Sequence, residues 1–286
     1  MAGSSAVPWQ ASARAAAQRV GLDPRYARRL RWIRKTQAVR RSGARLRDHA
    51  AWILTAPEPD NFTYDIGNLD ALSNWVVAVT GCPQALAERY VAEPAADAVL
   101  RERLGAATAG HFWWSQRYPP FGKRVGWYAI LRALKPRLVL ETGAHDGLGS
   151  LLLLRALELN AGAAERGRLV SFDINPNAGW LVGADPFWEL RIQSSTDGLA
   201  EVLANDAEVG VFVYDGWHEF AAELADHSVV VDHLAVGGVL LTDDAQVSRA
   251  LTVVADRAGL DYHEFQELPV NHFYPGAVLA AARRHA

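Results

Sequence analysis

Residues 138–150 read Leu-Val-Leu-Glu-Thr-Gly-Ala-His-Asp-Gly-Leu-Gly-Ser, and the apolar run 151–154 follows at once. The opening residues, rich in Leu and Val, predict a short buried strand, and the leucines after the glycines predict a helix packed on a sheet. Gly143 and Gly147 lack a Cβ, so the chain can turn tightly and a ligand can approach the amides at the helix start. The stretch therefore predicts the strand, turn and helix of an α/β unit that binds a polar ligand.

The glycine spacing fits two kinds of nucleotide site. The pattern Thr142-Gly143-x-x-x-Gly147-x-Gly149 is similar to the turn of short-chain dehydrogenases, which bind a nicotinamide dinucleotide and carry a Tyr-x-x-x-Lys pair further on. All lysines of this chain precede the turn, so that pair is missing. The pattern Glu141-x-Gly143-x-x-x-Gly147 resembles motif I of class I S-adenosylmethionine-dependent methyltransferases, whose ligand carries an ammonium and a sulfonium. A glycine turn without any ligand is the third possibility.

Composition describes an ordinary globular protein. The chain has 286 residues, 50% of them hydrophobic, and a formal net charge of −3, enough for one large domain or two small ones. Cys82 is the single cysteine, which excludes an internal disulfide and a cysteine-cluster metal site and favours a reducing, cytoplasmic location. No apolar run approaches the roughly 18 residues that a membrane span needs. We expect no membrane span and no nucleic-acid partner, and the sequence is compatible with a homo-oligomer.

The N-terminal part differs in character from the rest. Residues 1–110 are predicted to form a helical cap or lid, and residues 111–286 a Rossmann-like domain. Between Arg14 and Arg47 there are twelve Lys and Arg residues against one acid, Asp23. That segment could be the solvated face of a helix, a patch for an anionic surface or a targeting segment. The aromatic segment 111–122, with its double proline, predicts a loop that seals the core or lines a pocket.

Strand and helix patterns alternate through the second part of the chain. The predicted strands are Leu138 to Glu141, Arg168 to Asp173, Leu190 to Gln193, Val211 to Asp215, Gly238 to Asp243, Tyr262 to Leu268 and Ala277 to Ala282. The predicted helices are Leu69 to Val79, Gln84 to Arg103, Lys123 to Leu134, Gly147 to Asn160, Thr196 to Ala204, Glu219 to Leu234 and Gln246 to Ala258. This layout resembles the class I methyltransferase fold, which implies a seven-stranded sheet whose last strand is antiparallel.

Acids end four of the predicted strands, at the edge where ligands bind in such sheets. One such acid is commonly a cap or turn former, but four in one sheet favour a site. Asp173 is placed to accept hydrogen bonds from a ribose diol, and Ser195 to border the adenine, although Ser195 or Thr196 could instead cap the next helix. The expected cofactor-binding residues are Glu141, Gly143, Gly147, Ser150, Asp173, Ser195 and Asp215.

Two further segments indicate which branch of the methyltransferases the chain resembles. Residues 215–218 read Asp-Gly-Trp-His and residues 237–244 read Gly-Gly-Val-Leu-Leu-Thr-Asp-Asp. Together they are similar to the metal-dependent O-methyltransferases of macrolide sugars and related natural products, over about residues 123–284. The resemblance implies that Asp215, Asp243 and Asp244 bind Mg²⁺ and that His218 is the catalytic base. The bulky Trp217 and the Asp-Asp pair, where catechol-type relatives have Asp-Asn, depart from the pattern.

Elementary electrostatics agrees with this assignment. Three neighbouring carboxylates repel one another by several kcal/mol at an effective dielectric constant of about 20, so a cation is expected, and Mg²⁺ takes oxygen ligands. A histidine can take the proton of an activated hydroxyl, whereas His145 in the turn is interpreted as a structural donor. The predicted substrate is a sugar or polyol, with Trp113, Trp114 and Trp217 as stacking surfaces. The alternatives are a phenolic or other small-molecule acceptor without metal, an inactive binding module of the same fold, or an oxidoreductase.

Overall fold

The computed structural model describes residues 32–33, 35–40, 43, 45–55, 63–109, 121–162, 165–204, 208–270 and 272–285. Trp113, Trp114 and most of the Arg-rich segment fall outside these ranges, as do the predictions that concern them. Within the described ranges, no helix combines the length and the apolar character that crossing a bilayer requires.

Seven strands form one mixed sheet in the order β3-β2-β1-β4-β5-β7-β6. They are β1 Leu138–Thr142, β2 Arg168–Asp173, β3 Trp188–Ile192, β4 Val209–Tyr214, β5 Leu234–Thr242, β6 Asp261–Gln266 and β7 Val278–Arg283. The first five strands pair in parallel, and β7 is antiparallel to both β5 and β6. The predicted Rossmann-like sheet, with its last strand antiparallel, is therefore confirmed.

Helices cover both faces of the sheet. They are α1 Ala50–Thr55, α2 Leu69–Thr80, α3 Gln84–Ala96, α4 Ala98–Thr108, α5 Arg124–Leu134, α6 Leu148–Asn160, α7 Ser195–Leu203, α8 Phe220–Asp232, α9 Ala245–Ser248 and α10 Ala250–Ala258. A 3₁₀ helix, Leu46–His49, precedes α1. One hydrophobic cluster joins α2 to α6 with one face of the sheet, and a second joins α7, α8 and α10 with the other face. Successive strand residues such as Val139 and Leu140 belong to different clusters, which explains the continuous apolar runs.

Several element boundaries differ from the sequence prediction; β5, for example, begins at Leu234 and not at the predicted Gly238. The third strand begins at Trp188, before the predicted Leu190. The single helix predicted from residue 84 to residue 103 is two helices, because Pro94 lies in the last turn of α3 and Asp97 starts α4 by accepting a hydrogen bond from the Leu100 amide (3.0 Å). The helix predicted from residue 246 is also divided, at Arg249, which adopts a left-handed conformation with φ +57°.

The part of the predicted cap that is described packs on the sheet domain. Helix α2 contacts β6 and β7, and Trp52 packs edge-on against His272 and at 4.7 Å against Phe273, both in the loop between β6 and β7. In the same region the Tyr64 hydroxyl donates to the buried carboxylate of Glu267 (2.5 Å). The cap is thus fastened to the loop that borders the carboxyl end of β5, while the domain boundary at residue 110 stays a prediction.

Candidate active site at the carboxyl edge of the sheet

The turn between β1 and α6 lies directly against the end of β4. Gly143 has φ +88°, and a Cβ added there would lie 2.1 Å from the carbonyl oxygen of Asp215, so only glycine fits. Gly147, with φ +93°, immediately precedes α6, and a Cβ there would meet Cα of Gly179 at 3.0 Å. The two glycines bring three loops together at the carboxyl ends of β1, β2 and β4, where the sequence predicts the cofactor.

Glu141 and Ser150 lie beneath this turn, in the interior. Glu141 is only 1% exposed and accepts hydrogen bonds from the hydroxyls of Ser150 (2.5 Å) and Ser171 (2.6 Å). The indole of Trp188 in turn donates to the Ser171 oxygen (3.0 Å). These hydrogen bonds connect β1, β2, β3 and α6 beneath the glycine turn. Direct contact of Glu141 or Ser150 with a cofactor stays a prediction, since both have protein partners here.

Burial gives Glu141 a measurable pH signature. Burial raises its pKa from 4.5 to about 7, although the two serine hydroxyls oppose that shift. The folded protein therefore binds an extra proton between those values, and the stability that the neutral carboxyl provides is lost as the pH rises through this window. We expect wild type to lose about 3 kcal/mol of unfolding free energy relative to Glu141→Gln between pH 4.5 and pH 8, measured by urea denaturation.

The matched control for that measurement is Glu102→Gln, on the exposed face of α4. Its difference in stability from wild type should not change with pH. A gap between wild type and Glu141→Gln that is constant from pH 4.5 to pH 8 would contradict the raised pKa.

Asp173 ends β2 beside the turn, half-exposed, as a ribose-binding acid requires. Its two oxygens accept hydrogen bonds from the backbone amides of His145 (2.7 Å) and Asn175 (2.8 Å). Because each carboxylate oxygen can accept more than one hydrogen bond, these contacts leave room for a diol. They also explain how His145 is held with φ +49° in the turn, the structural position interpreted from the sequence.

Ser195 has a partner that the sequence did not reveal. Its hydroxyl donates to Asp226 on α8 (2.5 Å), and the Thr196 hydroxyl donates to the other oxygen of the same carboxylate (3.1 Å). The alternative in which Ser195 or Thr196 caps α7 is wrong, because the N-cap position is Ser194 and no side chain caps it. Burial raises the pKa of Asp226, against the two hydroxyls. The pair ties α7 to α8, and contact of Ser195 with adenine stays a prediction.

An acid and histidine cluster lies one loop further along the sheet edge. Asp215 follows β4, Asp243 follows β5, and His218 lies three residues after Asp215. One ligand atom from each of these side chains lies within 4.8 Å of the others. Oδ1 of Asp243 and Nδ1 of His218 are buried and have no hydrogen-bond partner. The structure therefore brings together three of the four residues that the resemblance placed here.

Asp244, the fourth, is not part of this close group. Its Oδ1 accepts hydrogen bonds from the Tyr274 hydroxyl (2.8 Å) and the Gln246 amide (2.9 Å), and its Oδ2 lies 3.6 Å from Nε2 of His218. Burial tends to raise the pKa of Asp244, but Lys123 and these two donors hold it below its ordinary value. Asp244 therefore stays ionised next to His218, whose orientation it can fix.

Lys123 supplies a cation that the sequence analysis did not anticipate. Its Nζ contacts Oδ2 of Asp243 and lies 4.0 Å from Oδ1 of Asp215, and its side chain is 9% exposed. Burial lowers the pKa of Lys123, while Asp215 and Asp244 oppose the shift, and direct contact with Asp243 favours the ammonium form. The sequence led us to expect a cation among these carboxylates and suggested Mg²⁺; in the structure a lysine just before α5 contacts Asp243 and lies 4.0 Å from Asp215.

The donor set still suits a divalent cation. Asp215 and Asp243 offer carboxylate oxygens, the ligands that Mg²⁺ prefers, and one of them is the unpartnered buried oxygen of Asp243. The second Asp243 oxygen is already in contact with Lys123. A cation therefore fits these side chains in competition with an ammonium.

Apolar side chains border the cluster on the solvent side. Trp217 is 70% exposed and Phe220 46% exposed, both in the loop and helix start after β4. The backbone oxygen of Trp217 accepts a hydrogen bond from the Tyr214 hydroxyl (2.6 Å), which fixes the loop. The Trp217 side chain is thus mostly in contact with solvent.

Comparisons with known proteins agree with this geometry. Residues 140–245 match the family described as a methyltransferase domain. An O-methyltransferase from Bacillus cereus, solved in complex with SAH, is 14% identical and matches 75% of this chain and 97% of its own with a TM-score of 0.51, which shows the shared fold. The O-methyltransferase TomG from Streptomyces achromogenes, involved in tomaymycin synthesis and solved with SAM, is 15% identical over 66% of this chain and 91% of its own, with a TM-score of 0.49. Among curated protein sequences none is significantly similar.

Proposed function

We propose that this chain is a class I S-adenosylmethionine-dependent methyltransferase that transfers the methyl group to a hydroxyl of a sugar or other natural product, because residues 140–245 match a methyltransferase domain and the sheet has the fold of an O-methyltransferase. The observation that carries the proposal is the cluster of Asp215, His218 and Asp243 beside the glycine turn. The turn would hold the cofactor, and the cluster would hold and activate the hydroxyl. In this arrangement the helices before residue 110 act as a cap over the acceptor.

The cofactor assignment rests on the residues at the carboxyl ends of β1 and β2. Gly143 and Gly147 allow the cofactor to approach the turn, and Asp173 is the acceptor for its ribose diol. The amide contacts of Asp173 then have a second use, since they orient its carboxylate before the cofactor arrives.

The chemical step needs a base within reach of the acceptor oxygen. When the Nε2 proton of His218 faces Asp244, Nδ1 is left as the proton acceptor. The hydroxyl proton passes to Nδ1, the oxygen forms a bond to the methyl carbon, and the methyl–sulfur bond breaks to release S-adenosylhomocysteine. Asp244 stabilises the imidazolium that results. A Mg²⁺ ion held by Asp215 and Asp243, with Asp244 beside them, would lower the pKa of the acceptor hydroxyl.

The chemical class of the methyl acceptor is proposed from the aromatic side chains beside the acid cluster. Trp217 and Phe220 offer exposed aromatic faces beside the acids, suited to the apolar face of a sugar ring, and a vicinal diol would suit a cation. A phenolic acceptor would use the same faces, so it remains the second candidate.

The test compares cofactors and acceptors directly. Calorimetry with and without Mg²⁺ should show S-adenosylhomocysteine binding and no NAD binding. Transfer of a labelled methyl group should then be measured to glycosides, polyols and catechols, with EDTA and with Mg²⁺ restored. Binding of NAD alone would overturn the assignment, and cofactor binding without transfer to any hydroxyl would leave a binding module. Full transfer in EDTA would remove Mg²⁺ from the proposal.

Asp173→Ala should weaken S-adenosylhomocysteine binding while the protein stays folded. It removes an acceptor of the ribose diol, at a cost of about 1–3 kcal/mol in binding free energy, measured by calorimetry. Asp256→Ala, on the exposed side of α10, is the control and should bind like wild type. An unchanged affinity in Asp173→Ala would remove this residue from the cofactor site.

A further inference from the structure

Lys123 occupies the position between the two carboxylates that a divalent ion would bridge. Its Nζ touches one oxygen of Asp243 and lies 4.0 Å from an oxygen of Asp215. Its ammonium also lies 5.9 Å from the ring centre of Trp127, one turn along the same helix. Lys123 precedes β1 in the chain, and these contacts place its side chain at the carboxyl ends of β4 and β5.

We propose that the Lys123 ammonium is the resident cation of this cluster, and that a divalent ion binds only by displacing it from Asp243. The proposal rests on the metal site proposed above. Asp243 is 1% exposed, and a buried carboxylate needs a partner, so either the ammonium or an ion must neutralise it. An ion held by Oδ1 of Asp243 and by Asp215 would lie next to the ammonium at Oδ2, and because like charges at that separation repel strongly, the ion and the ammonium compete.

The start of α5 holds Lys123 in this place. Gly122 has φ +55°, and a Cβ added there would lie 3.0 Å from the ring of Tyr64, so the chain turns closely against the cap before it enters α5. Tyr64 is itself hydrogen-bonded to Glu267. Displacement of Lys123 therefore requires a rotation of its own flexible side chain, since the backbone around it is tightly packed.

The proposal is tested by ion binding to Lys123→Met, a substitution that keeps most of the length of the side chain and removes its charge. Titration with Mn²⁺, followed by electron paramagnetic resonance in S-adenosylhomocysteine-saturated protein, should give at least a tenfold lower Kd than wild type. Lys135→Met, at the exposed end of the same helix, is the control and should bind like wild type. A Kd for Lys123→Met equal to or higher than that of wild type would overturn the proposal.

Thermal unfolding gives a second readout that needs no turnover. In EDTA, Lys123→Met should melt at a lower temperature than wild type, and saturating Mg²⁺ should restore most of the loss. The double variant Lys123→Met, Asp243→Asn should lose both the tight Mn²⁺ binding and the rescue. Melting of Lys123→Met that is indifferent to Mg²⁺ would count against the competition.

If Lys123→Met does not fold, wild-type protein still answers the question. Lys123 is buried and Lys135 is exposed, and reductive methylation followed by mass spectrometry reports each of them. Saturating Mg²⁺ should increase modification of Lys123 relative to Lys135, and an unchanged ratio would overturn the proposal. None of these measurements needs an acceptor, so failure of methyl transfer and failure of the competition are separate outcomes.

Discussion

His218→Ala is expected to lower the turnover of methyl transfer by about 10²- to 10⁴-fold, the usual contribution of a general base. Nε2 of the imidazole lies 3.6 Å from Oδ2 of Asp244, and Nδ1 is buried without a hydrogen-bond partner. Removal of the ring takes away the proton acceptor and leaves Asp215 and Asp243 in place. The binding of S-adenosylhomocysteine should therefore be retained, and the loss should appear in kcat, measured with a labelled methyl donor.

His263→Ala is the matched control for this prediction. His263 is a half-buried histidine on β6, the edge strand far from the acid cluster, so its removal should leave kcat within about twofold of wild type. Full activity of His218→Ala would assign hydroxyl activation to another group. Loss of cofactor binding in the same variant would show that the ring shapes the site instead.

The fold was predictable because its signals are local. Residues 138–142 are all buried and the glycines that follow both have positive φ, so one short stretch specified a strand, a turn and a helix. The parallel strands other than β3 are mainly apolar on both faces, which distinguishes them from helices with one apolar stripe. The strand ends also follow from this pattern, and they placed Asp173, Asp215 and Asp243 at one edge.

Side-chain directions at that edge could not be derived in the same way. The contact of Glu141 with a cofactor stays a prediction, but the sequence did not reveal that its carboxylate is buried against Ser150 and Ser171. Asp244 follows Asp243 directly, yet its left-handed backbone, φ +48°, directs it towards Tyr274. The spacing of residues in the sequence does not specify which of the two adjacent acids, Asp243 or Asp244, belongs to the cluster with Asp215 and His218.

Contacts between side chains that are far apart in the sequence could not be predicted either. Lys123 meets Asp243 across 120 residues, and Tyr274 meets Asp244 across 30, without any motif that links them. The one available hint is composition, since lysine is rare in this chain while arginine is abundant. The sequence analysis inferred that a cation must neutralise the acids, and the structure identifies a side chain already in position to do so.

A second buried acid, Glu223, contacts the end of β5, directly before Asp243. Glu223 on α8 is fully buried and accepts hydrogen bonds from the hydroxyls of Thr242 (2.7 Å) and Ser248 (2.5 Å). His227, also fully buried, lies 3.7 Å from the same carboxylate. The group thus connects α8, the end of β5 and α9 beneath the catalytic edge.

Glu223→Ala is expected to reduce the free energy of unfolding by about 3–5 kcal/mol, because it leaves buried polar partners without an acceptor. Glu219→Ala, exposed just before the same helix, should change stability by less than about 0.5 kcal/mol. Urea denaturation at pH 7 measures both. A loss in Glu223→Ala no larger than in the control would show that the network carries no net stability.

Glu223→Gln separates the charge from the shape of this side chain. Burial tends to raise the pKa of Glu223, but the neighbouring His227 and the hydroxyls of Ser248 and Thr242 hold it below its ordinary value of 4.5. The stabilisation that the carboxylate provides is therefore present above pH 4.5 and is lost as the pH falls through the lower folded pKa. Wild type should exceed Glu223→Gln in stability at pH 7, and the gap should narrow in acid. A gap that widens as the pH falls below 4.5 would mean that the buried carboxylate is destabilised, and that the hydroxyls of Thr242 and Ser248 do not offset its burial.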